Sequence, residues 1–352
     1  MLDDDHKFAY SFGDSGCNHK GVGKHKKVNT RLNAHYCYSQ FSLDILTVLK
    51  LRLVVPVALL TLLVMNGCSQ SFRMDGMFED IKGRGNLWVT LAKGMKLEVP
   101  RNGEYQVQRQ LAHFRRYPGF LEKMQHNARP YLYEVMTRLK KRRMPLELAL
   151  LPAIESTYRN HATSPTGAAG LWQFIKSTGR EYGLTRSHLE DKRRDPLLAT
   201  DAALDYLAYL GRLFNGDWEL AIASYNGGQG TMMRAVKANR SRGLPTDFWS
   251  LQVRTETSNY VPRLLALARM VKQPKKYGLK LKPIPEVQVL ATATVKRAVN
   301  LREVASAARL DPTEFSHLNA RYTRHVTLPN RVNRVILPRN KEKEVKAALL
   351  SL

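Results

Sequence analysis

Along most of the chain the apolar positions recur at helical spacing. Arg129-Pro130 opens a stretch in which Tyr131, Leu132, Val135, Met136 and Leu139 fall on one face. Pro145 starts a strongly apolar segment, Leu146 to Ile154. Ser177 stands where it can cap a short helix that Gly183 closes. Asp195-Pro196 joins a capping residue to a proline suited to a first turn. The helix it opens puts Leu197, Ala202, Leu204, Leu207 and Leu210 on its buried side. Asn215-Gly216 ends that helix and Asp217 caps the next. A last helix is expected over Thr257 to Lys272, with Pro262 in its first turns or kinking it. No alternating strand pattern interrupts Leu87 to Leu281, so this part reads as all-α.

The pattern then changes. Lys280 to Glu286 holds two prolines and two lysines and reads as a linker. A β-like run (Val287 to Val295), two short helices and a second β-like run (Val332 to Leu337) follow. Asn300 with Glu303 fits a capping box, and Asp311-Pro312 with Glu314 fits a cap, first turn and third-position carboxylate. This β-α-α-β order resembles a LysM glycan-binding module, although the Gly-Asp-Thr segment usual before the first LysM helix is absent. A small domain packed against the helical one is the alternative.

At the other end, Leu53 to Met65 is thirteen residues without a charge, preceded by Lys50 and Arg52. As a helix it would span about 20 Å, short of the roughly 30 Å hydrocarbon core of a bilayer, so it reads as a secretory signal and not as a spanning anchor. Met65-Asn66-Gly67-Cys68 resembles the bacterial lipobox, in which the cysteine becomes the lipidated first residue of the mature protein. Ser69 follows where an aspartate could stand, which by that resemblance implies the outer membrane. Cys17 and Cys37 lie upstream of the expected cut, so the mature chain has no disulfide framework. Residues 1–47 are rich in His, Lys, Gly and Asp, lack core periodicity and precede the signal. Translation is therefore expected to start at Val48.

Composition adds one constraint. The chain has 352 residues and a formal net charge of +26. Such a field favours polyanions, anionic lipid or an anionic polymer matrix. Nucleic acid is the common partner of a basic chain, but an exported, lipid-anchored protein points instead to peptidoglycan, whose stem peptides carry carboxylates.

Candidate chemistry begins at Glu155, which closes the run Leu148-Ala149-Leu150-Leu151-Pro152-Ala153-Ile154. A carboxyl against an apolar wall holds its proton closer to neutral pH, as a general acid requires. Ser156 follows, with a hydroxyl that could position a carboxyl or a substrate amide; the pair could equally be an ordinary helix end. Gly167-Ala168-Ala169-Gly170-Leu171-Trp172-Gln173-Phe174 comes next. Its glycines allow close backbone approach, and Trp172 is either a sugar-stacking face or a core tryptophan in a tight turn. Ala223-Ser224-Tyr225-Asn226-Gly227-Gly228 and Glu256-Thr257-Ser258-Asn259-Tyr260 complete the set. The former could be a plain helix cap, and Tyr260 a half-buried core residue.

In this order the four segments resemble the family 1 lytic transglycosylases, with their Glu-Ser, Gly-Leu-Met/Trp-Gln, Ala-Tyr-Asn-x-Gly and Tyr motifs. The resemblance runs from about Leu87 to Leu281; Ser224 stands where the alanine before the tyrosine of the third motif would be, Ala-Ser-Tyr-Asn in place of Ala-Ala-Tyr-Asn. It implies a mainly α chain: a lysozyme-like (SLT) helical catalytic domain over residues 109–281 and a small α+β, degenerate LysM-like module over 286–340. A segment 68–108 precedes them, after an N-terminal extension and lipoprotein signal peptide at 1–67. It further implies that Glu155 is the catalytic acid/base, that Ser156 helps orient substrate, and that Gln173, Tyr225, Asn226 and Tyr260 line the glycan cleft. Cys68 carries the lipid.

Ordinary glycosidases use two carboxylates, yet from Ser156 to Arg180 there is no Asp or Glu. One carboxylate suits a nucleophile that belongs to the substrate. The resemblance implies cleavage between MurNAc and GlcNAc with formation of 1,6-anhydro-MurNAc, without metal or cofactor. A hydrolytic muramidase on the same fold, a non-catalytic peptidoglycan-binding lipoprotein and, on charge alone, a nucleic-acid binder remain as alternatives.

Overall fold

The computed structural model describes Gly76, Met77 and residues 84–352. The signal peptide, Cys68 and the Val48 start lie outside the described residues.

Thirteen helices and two strands make up the described part, with short 3₁₀ turns between them. In the helical domain these are α1 (Leu87–Lys93), α2 (Glu104–Arg116), α3 (Pro118–Ala128), α4 (Leu132–Lys141), α5 (Leu151–Ser156), α6 (Lys176–Glu181), α7 (Pro196–Leu213), α8 (Trp218–Gly227), α9 (Gln229–Ser241) and α10 (Thr255–Lys272). The C-terminal module follows as β1 (Leu290–Val295), α11 (Leu301–Ala307), α12 (Pro312–Leu318), β2 (Asn333–Pro338) and α13 (Glu342–Ser351).

Helix α10 is the axis of the larger domain. Val261, Leu264, Leu265, Ala266, Leu267, Ala268, Met270 and Val271 are all buried, so it is apolar nearly all round, as a core helix must be. It packs against α1, α2 and α8. The expected start at Thr257 moves to Thr255, which puts Pro262 in the helix interior. Helix α4 buries the predicted face of Leu132, Val135, Met136 and Leu139. The apolar run Leu146 to Ile154 forms a 3₁₀ turn (Leu146–Leu150) and then α5.

The aspartate caps act as expected. Asp195 accepts from the Leu197 and Leu198 amides, Asp217 from Leu220, and Asp311 from Thr313 and Glu314. The serine cap does not. Helix α6 starts at Lys176 with extended Ile175 before it, and Ser177 lies inside the first turn. At Asn300 the side chain caps Arg302 and its amide donates to Glu303 Oε1, a variant of the expected box.

In the C-terminal module β1 and β2 pair antiparallel, from Leu290 opposite Pro338 to Val295 opposite Asn333. The module has its own core of Val295, Leu301, Val304, Phe315, Val335 and Leu337. Helix α13 extends the expected order, with Val345 and Leu349 in that same core. Leu290, Leu318 and Ile336 instead join the core of the helical domain, so the two modules share apolar packing.

Polar groups complete the junction. Asn160 Nδ2 donates to the His317 carbonyl at 3.0 Å, and the His161 and His317 rings stack with centroids 3.8 Å apart. Burial holds His161 down to about 4, with the His317, Arg159 and Arg194 charges adding to it; burial lowers His317 as well. The unfolded chain binds a proton at its ordinary 6.5 that the folded chain refuses until about 4. Stability is therefore full above pH 6.5 and drains away as pH falls through that window. His161→Phe, which keeps a flat ring in the stack, should flatten the decline. Thermal midpoints from pH 7 to pH 4 check this; an equally steep fall in the variant contradicts it.

Candidate active site

Helix α5 has only six residues. Pro152 suits its first turn, and Leu151, Pro152 and Ala153 anchor it in the core. It ends abruptly because Thr157 and Tyr158 both take left-handed backbone angles, φ 54° and 57°. Such residues cost of order 1 kcal/mol each unless their surroundings hold them. Here Asn127 donates to the Thr157 carbonyl at 2.8 Å, and Tyr158 is fully buried with its hydroxyl on the Ala149 carbonyl. The sharp end leaves Glu155 in the last turn, 6% exposed.

Tyr260, from α10, donates its hydroxyl to Glu155 Oε1 at 2.5 Å. Burial first, and then the Glu155 charge, push the Tyr260 phenol well above its ordinary value; the same two causes act in the same order on Tyr225. Both hydroxyls therefore stay protonated and act as donors.

The segment Gly167–Phe174 folds as a tight turn. Gly167 and Gly170 have φ 83°, and Gln173 has φ 48°. Ala169 and Phe174 exchange backbone hydrogen bonds across it. Three further carbonyls take side-chain donors: Gln173 Nε2 to Gly170 O at 2.8 Å, Ser156 Oγ to Leu171 O at 2.9 Å, and Tyr225 Oη to Trp172 O at 2.7 Å. Arg193, nearly fully buried, donates to both Gly167 O and Phe174 O at 2.8 Å. Trp172 is wholly buried and gives its indole N–H to Thr200, so it is core and not a sugar platform.

Asn226, at the end of α8, accepts from Thr257 Oγ1 at 3.0 Å and donates to Glu256 at 3.4 Å. Asn226 and Tyr225 line an open groove of about 560 Å³ together with Ser177, Tyr182, Tyr206 and Glu256.

The structure thus joins Glu155 to Tyr260 directly, gathers Ser156, Gln173 and Tyr225 on one turn, and sets Tyr225 and Asn226 on the groove. Sequence reasoning missed Arg193, which sits in the run Glu190-Asp191-Lys192-Arg193-Arg194-Asp195 and looks like any solvated charge cluster. It also missed Tyr182 and Tyr206, which ring-pack in series with Tyr225. Glu181 and Glu256 line the groove too. Among the described residues no group of three or more His, Cys, Asp or Glu could hold a metal ion.

A helical domain that sets a buried glutamate on a short helix beside a groove finds its counterpart among known proteins. Residues 133–246 match the transglycosylase SLT domain, a lysozyme-like fold, and residues 289–352 match the LysM-like domain of the lytic transglycosylase MltD. The chain belongs to the SLT-domain transglycosylase family. It is 41% identical over 236 residues to membrane-bound lytic murein transglycosylase D of Escherichia coli strain K12, an alignment that covers 67% of this chain and 52% of that protein. The chain therefore spans about half the length of that relative. A putative tributyltin chloride resistance protein of Alteromonas sp. strain M-1 is 37% identical over 150 residues, 42% of this chain and 71% of the relative. The peptidoglycan transglycosylase gp16 of Escherichia phage T7 is 36% identical over 116 residues, 33% of this chain and 8% of that protein.

Two glycines of the turn separate strain from crowding. A Cβ at Gly170 would collide with the Arg193 carbonyl oxygen, whereas one at Gly167 would meet open space; both positions have the same positive φ. Gly167→Ala should cost about 1 kcal/mol. Gly170→Ala should cost about 3 kcal/mol or more, because backbone must move. Denaturant unfolding checks the ranking, and equal costs would refute it.

Proposed function

We propose that this protein is a peptidoglycan lytic transglycosylase. It cleaves the β-1,4 bond between MurNAc and GlcNAc and leaves 1,6-anhydro-MurNAc ends. The observation that carries the reading is the Glu155–Tyr260 pair: a nearly buried carboxyl with a phenol on one oxygen, its neighbour Ser156 bonded to the same turn as groove-lining Tyr225. The SLT-domain match and the order of the four motifs support it.

In this reading Glu155 acts as acid and then as base. It protonates the glycosidic oxygen as the bond to C1 of MurNAc breaks, with assistance from the N-acetyl group. The resulting carboxylate takes the proton of the C6 hydroxyl while O6 attacks C1, which closes the anhydro ring. No water is consumed, and Glu155 ends protonated as it began. Tyr260 stabilises the carboxylate between the steps; Tyr225 and Asn226 line the glycan cleft, while Gln173 and Tyr260, expected there too, lie buried behind it. Ser156 orients substrate beside the acid; its bond to Leu171 O favours an indirect share in that work.

The partners follow. Peptidoglycan strands are the substrate. Acylated Cys68 anchors the chain to the outer membrane on the periplasmic side, supported by the lipobox-like segment and by the description of the E. coli relative as membrane-bound. Among the described residues no helix is long and apolar enough to cross a membrane.

Hydrolysis is the second reading, because Glu181 and Glu256 line the same groove and a two-carboxylate enzyme would need such a partner. Mass spectrometry of digested sacculi separates the readings. Anhydro-MurNAc ends are expected from wild type, with Glu155→Gln slower by about 10²–10⁴-fold. Reducing ends without anhydro-MurNAc would establish a muramidase, and an inert wild type a binding protein. Tyr260→Phe removes one hydrogen bond to a charged group and should slow the wild-type rate by about 10- to 100-fold; an unchanged rate would remove Tyr260 from the mechanism.

A further inference from the structure

Besides the apolar packing and the His161–His317 stack, the C-terminal module holds the helical domain at the segment His188–Asp195, and that segment leads to the turn beside Glu155. Asp195 is fully buried. Besides capping α7, it accepts from Arg321 Nη1 at 2.7 Å and from Arg334 Nη2 at 2.8 Å to both oxygens. Arg321 also donates Nε to Glu190 Oε1 at 2.9 Å, and the Arg321 carbonyl accepts the Asp191 amide at 2.8 Å. Thr323 accounts for two more bonds, its amide to Leu189 O and its hydroxyl to His188 O. The C-terminal side thus holds four consecutive residues, His188 to Asp191, and then Asp195.

Inside that segment Asp191 takes Arg193 in a two-pronged pair, Nε to Oδ1 at 2.9 Å and Nη2 to Oδ2 at 2.7 Å. The remaining prong of Arg193 holds the Gly167 and Phe174 carbonyls. Gly170 rests directly against the Arg193 backbone. The same turn carries Gln173 and receives Ser156 and Tyr225.

We propose that the C-terminal module is a brace for the active site. Arg321 and Arg334 are positioning residues that act through Asp195, Glu190 and Asp191–Arg193 on the Gly167–Phe174 turn. The inference rests on the catalytic reading above for its kinetic consequence, though not for its structural one. A buried two-pronged arginine contact has little freedom to slide, and a displacement of about 1 Å far from the chemistry can cost up to about 10²-fold in rate. A module tethered only to bind glycan would need none of these buried charges.

The test uses the full chain with Arg321→Lys and Arg334→Gln. Lysine keeps the charge but cannot span Glu190 and Asp195 together. Arg334 is partly exposed, so its loss removes one arm from Asp195 and leaves the Arg321 network in place. Two readouts are taken. On soluble glycan strands kcat should fall about tenfold or more with KM nearly unchanged. In hydrogen exchange the amides of residues 167–174 should lose protection, while those of Val335 and Leu337 in the module's own strand keep theirs. Unchanged kcat and unchanged turn protection would overturn the proposal. So would a rise in KM alone, which would assign the module to glycan binding. If Arg321→Lys does not fold, Arg334→Gln decides alone. Exchange needs no substrate, so a chain that cleaves nothing yet shows the coupling would sink the catalytic reading and leave the brace standing.

Discussion

A buried carbonyl without a donor costs free energy on the scale of a lost hydrogen bond, and the Gly167–Phe174 turn buries several. A regular helix or sheet would satisfy them internally. This turn does so only in part: Ala169 and Phe174 exchange backbone bonds and the Ala168 carbonyl takes the Ser164 amide, while the Gly167, Leu171 and Trp172 carbonyls go to side chains. Each of those three needs a side chain of suitable reach. Ser156 is short and comes from the adjacent end of α5. Tyr225 is long and comes from α8. Arg193 has enough donors to meet two carbonyls and a carboxylate together. The residue types at Ser156, Gln173 and Tyr225 follow from this requirement whether or not they touch a ligand. A buried hydroxyl that holds the turn cannot be exchanged for an apolar side chain even if it never touches substrate.

Charge placement obeys the same logic. Asp195 sits at the N-terminus of α7, where two amides and the helix dipole favour an anion. Two arginines from the C-terminal module then add to that anion. Buried ion pairs contribute little net stability once desolvation is counted, but they admit few alternative geometries. What the pairs secure is therefore the relative placement of two modules that already share apolar packing through Leu290, Leu318 and Ile336.

Legibility in the sequence followed locality. Asp195, Asp217 and Asp311 were readable as caps because each acts on amides two or three residues away. Ser177 misled because capping needs an extended backbone, and Ile175 takes that conformation instead. The apolar faces of α4 and α7 declared themselves by period. The Glu155–Tyr260 contact joins residues 105 apart, so no local pattern could pair them, and only the resemblance of ordered motifs placed both in one site. Trp172 carried an ambiguity that sequence could not settle, since an indole serves a sugar or a core equally well. Arg193 was hidden in a charged run, where burial of one arginine among several leaves no mark in composition.

These features bear on how one carboxyl could serve as acid and then as base. In the proposed reaction the two steps act on different oxygens of the glycan, so the group must hold its position while its charge changes. An exposed glutamate would reorganise with solvent between the steps. Glu155 instead stands on a helix cut short by two left-handed residues, with a protonated phenol already aimed at one oxygen. A donor fixed in place beforehand costs no reorganisation when negative charge appears. The strained ends of α5 and of the Gln173 turn are then the backbone cost of that fixity, and the buried tyrosines and Arg193 are what make it sustainable.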